Sequence, residues 1–174
     1  MTRLSIAHTV TGVLLATSAA LFAAGAAAAA EPPVLKSGLW EVVRAGGAPG
    51  DPKHLTTMCL DDSVQAEMRD FGMGMAKNIC SRNDRSFDGT RMVINAVCQM
   101  GPTTLTSKSI MTFKGNTAYH TDVSAIYDPP MMGTRESKVA IDAKWTGPCK
   151  AGQKAGDMTM ENGQQINIKS FMTK

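Results

Sequence analysis

Few residues in this 174-residue chain have the type and spacing to do chemistry, and methionine dominates them. There are 13 methionines against 5 phenylalanines, 2 tyrosines and 2 tryptophans. Six fall in three close pairs: Met73 and Met75 in "FGMGM", Met131 and Met132 in "PPMMG", Met158 and Met160 in "DMTM". Three kinds of chemistry suit them. A thioether on an unbranched chain fills irregular gaps in a core short of aromatics. The same plasticity makes a surface that accepts apolar ligands or partners. Thioethers also hold Cu(I), a soft ion, where cysteines are already engaged. Met92 and Met111 sit in alternating strand patterns and read as core, whereas the three pairs lie in Gly- or Pro-flanked segments. The pairs are therefore the candidate ligand surface. They are spread widely in sequence with no adjacent histidine, so copper ranks below the apolar reading and no metal site is assigned.

Acid–base and nucleophilic chemistry has little to work with. Of three histidines, His8 lies in an N-terminal address segment, leaving His54 and His120. His120 is in "AYHTD", and Asp122 two residues on shares its strand face, a pairing that can orient an imidazole for general-base work. No serine sits in a G-x-S-x-G turn, and no glycine-rich phosphate loop appears. Asp61 and Asp62 are adjacent at a helix start, where the macrodipole favours them. A hydrolase using His120 is the weakest alternative. The expectation is no enzyme, no catalytic residue and no cofactor.

Residues 1–30 carry Arg3, then an apolar stretch, then an alanine run before Glu31. That order reads as a cleavable signal peptide, cut after Ala30. Cleavage removes one of 18 basic residues and none of 15 acidic ones, leaving a net charge of +2. So weak a balance argues against nucleic acid as a partner. No stable membrane span is expected after cleavage. The remaining partners are an apolar small molecule or an envelope protein.

All four cysteines (Cys59, Cys80, Cys98, Cys149) lie beyond the signal segment. An even count in an exported chain reads as two disulfides, with three pairings open. Zinc sites bring ligands in close pairs, and the two nearest cysteines here, Cys80 and Cys98, are 18 positions apart. "ICSRNDRSF" and "TRMVINAVC" flank "DG", a hairpin signal. A two-residue Asp88–Gly89 turn sets Cys80 opposite Val97, and a one-residue bulge would bring it to Cys98. Cys80–Cys98 is favoured, leaving Cys59–Cys149. Each bridge removes roughly 3 to 5 kcal/mol of unfolded-chain freedom.

The elements that must position these residues are mostly strands. "LWEVVRA" and "KHLTTMCL" are the first two. A short helix follows, capped by Asp62 with Gln65 three residues on, its stripe Val64, Met68 and Phe71, its end Gly72. "TTLTSKSIMTF" and "TAYHTDVSAIY" flank "KGN" as a second hairpin. "DPPMMG" is a longer turn before "TRESKVAIDAKW". The fold expected is mainly β: a curved antiparallel sheet or partly open β-barrel of about seven strands, with one short α-helix and two disulfides. Residues 31–149 form this domain. Residues 150–174 read as a partly flexible appendage, with a short hairpin around "ENG".

"GLWEV" after the signal, "CL" before an acidic-capped helix, C-x17-C across a hairpin, "TFKGN", and "GPC" followed by "AGDMTM" form an ordered set. This set resembles the bacterial exported proteins grouped as domain-of-unknown-function family 3617, over nearly all of the chain beyond the signal. The resemblance implies export to the periplasm of a Gram-negative bacterium and a small disulfide-bonded β domain. It carries no catalytic residues.

Overall fold

Period-two alternation governs most of the chain, and the computed structural model describes residues 31–47 and 50–172. The expected signal peptide, residues 1–30, lies outside them. Seven strands account for the main sheet: β1 (Gly38–Gly46), β2 (His54–Leu60), β3 (Cys80–Phe87), β4 (Arg91–Met100), β5 (Thr103–Lys114), β6 (Ala118–Met131) and β7 (Thr134–Gly147). Beyond Cys149 the segment expected as an appendage adds β8 (Asp157–Met160) and β9 (Gln165–Asn167), then the short α2 (Lys169–Met172). β8 pairs with β2, and β9 returns on β8 around Asn162–Gly163. The order is β3-β4-β5-β6-β7-β1-β2-β8-β9, antiparallel throughout. β3 and β9 are both edges, so the sheet is open rather than a closed barrel.

One face of the sheet is apolar. Met92 opposes Met111, Phe113 opposes Tyr119, Tyr119 opposes Ala143, and Ala143 opposes Val42. Between them on the other face stand His120, Asp122, Asp142 and Lys144. This division is what alternation predicts for a sheet with one solvated side.

The helix α1 (Asp62–Ile79) is 18 residues long, not a short one ended by Gly72. Topology supplies the reason. The chain leaves β2 and must re-enter at β3, six strand spacings away in the sheet. That is about 29 Å across a flat sheet. Eighteen helical residues reach about 27 Å, and a helix stopped at Gly72 would reach only about 16 Å. Asp61, not Asp62, is the N-cap: its carboxylate accepts from the Val64 N–H at 2.8 Å and from the Ser63 hydroxyl. These bonds hold the Asp61 carboxyl below its usual pKa, the Val64 amide foremost. Gln65 turns away from the cap. Its amide accepts from Leu35 N at 2.7 Å and donates to Leu35 O at 2.9 Å, tying the segment before β1 to the helix.

The core sits where α1 begins. Val64, with no exposed surface, packs against Trp40, Leu60 and Ala143, flanked by Leu35, Met58, Tyr119 and Ile168. The disulfides are Cys59–Cys149 and Cys80–Cys98, with Cα separations of 5.4 and 3.7 Å. The expected hairpin register is corrected in detail. Asp88 pairs with Arg91, so Gly89 and Thr90 form the turn. Ser81 is the extra residue of a bulge that sets Cys80 opposite Cys98. "DPPMMG" is not a long turn either. β6 runs through Met131, which pairs with Thr134, and Met132–Gly133 alone turn the chain at φ values of 49° and 80°. Positive φ at both central positions suits the twist of the flanking strands.

Candidate functional site

Between α1 and the apolar face lies a cavity of about 590 Å³. Its position follows from how the helix is anchored. α1 is pinned at its start through Asp61, Val64 and Gln65, and its end passes directly into β3 at Cys80, which is bridged to Cys98 of β4. Met68, Phe71, Met75 and Ile79 form one stripe at spacings of three and four, and each remains 37–47% exposed. Of that stripe only Met68 lines the cavity, beside Gln65, Arg69 and Gly72. The sheet supplies Met92, Met111, Phe87, Phe113 and Tyr119 from β3 to β6, and Trp40, Val42, Met58 and Leu60 from β1 and β2. Phe87 and Phe113 meet edge to face at 5.9 Å, and Tyr119 lies within 6.0 to 6.3 Å of Trp40 and Phe113. Burial pushes the Tyr119 hydroxyl pKa upward. The segment Glu31–Leu35 closes one side, and Met68, Arg69 and Gly72 of α1 form the roof.

The methionine pairs singled out in sequence occupy three separate places. Met73 and Met75 lie within α1 and not on a segment that follows it. Met131 ends β6 and Met132, fully exposed, sits on the β6–β7 turn, at the end of the sheet away from Tyr119. Met158 and Met160 are in β8, where Met158 opposes Met58. None of the six lines the cavity; Met58, Met68, Met92 and Met111 do. The signal for Met92 and Met111 was present as strand alternation, which marks them inward. It could not mark whether an inward side chain meets a neighbour or a void.

His120 belongs to the opposite face. Its Nδ1 lies 2.7 Å from Asp142 Oδ1 and its Nε2 3.3 Å from Asp122 Oδ2. Asp142 reaches it across the β6–β7 pair, a partner that sequence adjacency could not reveal. The Asp142 hydrogen bond is the main cause of a raised imidazole pKa. An imidazole held by carboxylates at both nitrogens favours the imidazolium, with no nitrogen left to accept a substrate proton. Among the described residues no group of three His, Cys, Asp or Glu side chains is placed to hold a metal, and no helix is long and apolar enough to cross a membrane.

The fold and site together define a disulfide-braced, open β-sheet protein with a helix-roofed apolar cavity. A family model described as "Protein of unknown function (DUF3617)" matches residues 35–149, and the chain belongs to that family. No curated protein and no solved structure matches the chain.

Proposed function

We propose that this protein is a non-catalytic binding module of the periplasm, holding an apolar small molecule between α1 and the apolar sheet face. The observation that carries this reading is the cavity: about 590 Å³, lined by methionines and aromatics, and roofed by Met68, Arg69 and Gly72 of α1. That volume is in the range of pockets that enclose small ligands. Four thioethers in the lining suit an occupant of variable shape. The placing of His120, outside the cavity and held by two carboxylates, favours binding over catalysis. The export pattern of residues 1–30 and two disulfides support an oxidising compartment.

The test is titration of the oxidised protein with N-phenyl-1-naphthylamine, an uncharged fluorescent probe. Saturable binding with one site and quenching of Trp40 emission is expected. Met111→Trp, which fills the cavity, should abolish it while far-ultraviolet dichroism stays unchanged. Absence of saturable binding, or binding untouched by Met111→Trp in a folded protein, refutes the reading.

A further inference from the structure

We infer that the occupant is a single-chain amphiphile with an anionic head group, the head held at the cavity mouth by Arg69 and Arg85. This rests on the cavity being a ligand site, and adds what the charges around it select.

Among the described residues, three charged ones line the cavity: Glu31, Arg69 and Arg85. Arg69 comes from the roof, on α1 just after Met68. Arg85 comes from edge strand β3, on the same strand face as Phe87. Both are exposed, so their guanidinium groups stand at the opening, not in the apolar depth. Neither has a hydrogen bond or carboxylate partner among the described residues. The contrast with their neighbours is informative. In the same hairpin Arg82 pairs with Asp84, and Arg91 with Asp88 at 3.5 Å. Those arginines lie away from the cavity and are neutralised; the one that faces it is not. Glu31 makes no ion pair with either arginine, so two cationic forks are unpaired beside one carboxylate.

A guanidinium presents five N–H donors in a planar fork suited to carboxylate and phosphate oxygens. Two such forks from opposite walls of an apolar cleft match a ligand whose charge stays at the mouth while its chain enters. A neutral hydrocarbon would leave both without a partner, and a cationic amphiphile would be repelled. The cavity volume suits one acyl chain better than two.

The experiment is displacement of N-phenyl-1-naphthylamine from the full oxidised chain by four ligands with the same dodecyl chain. These are dodecanoate, dodecyl phosphate, dodecanol and dodecyltrimethylammonium, each below its micellar concentration. At least one anion should displace the probe at about tenfold lower concentration than dodecanol, a difference of about 1.4 kcal/mol. Whichever anion is tighter names the head group as carboxylate or phosphate. The ammonium compound should be weakest. The double variant Arg69→Gln/Arg85→Gln should erase the anion preference and leave dodecanol binding unchanged. Equal displacement by anion, alcohol and cation overturns the head-group inference while the apolar-cavity reading stands. An anion preference that survives the double variant overturns the assignment to these two arginines. Probe binding that none of the four displaces overturns the apolar-cavity reading itself.

Discussion

Replacing Gly74 with alanine should stabilise the protein, and replacing Gly46 should do the reverse. Both are glycines in regular elements, but their surroundings differ. Gly74 lies inside α1 at ordinary helical φ, and a Cβ built there meets nothing within 4 Å. Alanine therefore brings no clash and removes the entropy that glycine loses on folding. The gain is about 0.8 to 1 kcal/mol, or about 3 °C in Tm for a domain of this size. Gly46 ends β1 at φ +80°, and a Cβ there would come 2.3 Å from the Lys138 carbonyl oxygen. A left-handed alanine costs about 1 to 2 kcal/mol. Displacing a paired backbone strand adds to this, so a loss above about 2 kcal/mol is expected. Urea titration of the oxidised variants, followed by far-ultraviolet dichroism, separates the two outcomes. The result that refutes the reasoning is Gly74→Ala with no gain, or with a loss above about 0.5 kcal/mol. Residues 71–79 would then not be a regular helix in solution, and the roof of the cavity would have to be redrawn.

Removing Cys59–Cys149, which closes 90 residues, should cost about 4.6 kcal/mol, and removing Cys80–Cys98, which closes 18, about 3.2 kcal/mol. Paired Cys→Ala variants in urea check the order, and a larger loss from the short loop contradicts it. The His120 clamp should make stability depend on pH. Its folded pKa is raised above the unfolded value, so its contribution is complete below about pH 6.5 and is lost as pH rises through the folded pKa. The stability difference between wild type and His120→Gln should therefore shrink from about pH 5 to about pH 8. Because His120 is exposed, the effect is small. A difference that stays constant with pH contradicts the clamp.

How much of this was readable in the sequence divides along a physical line. Local rules worked where the determinant is local. Alternation placed His120 and Asp122 on one face of their strand, as the structure has them. The Asp88–Gly89 pair announced a hairpin and a bulge beside Cys80 was expected, but from a turn placed one residue early: Gly89–Thr90 turn the chain, and the extra residue is Ser81 on β3. Local rules failed where the determinant is the width of the sheet. Gly72 and Gly74 are poor helix residues, and propensity alone ends α1 there. The chain must still travel from β2 to β3, and the helix is the length of that journey. The same holds for the candidate site. Met92 and Met111 look like core because they point inward, and inward is correct. They line a cavity because the helix that crosses over them leaves a space between its inner side and the sheet. Arg85 carries the point further: alternation puts it on the same strand face as Phe87, but gives no hint that this face borders an apolar opening. That meaning arises only when β3 becomes the edge strand to which α1 delivers the chain. An edge strand beside a roof helix is where the cleft opens, and Arg69 and Arg85 stand on its two sides.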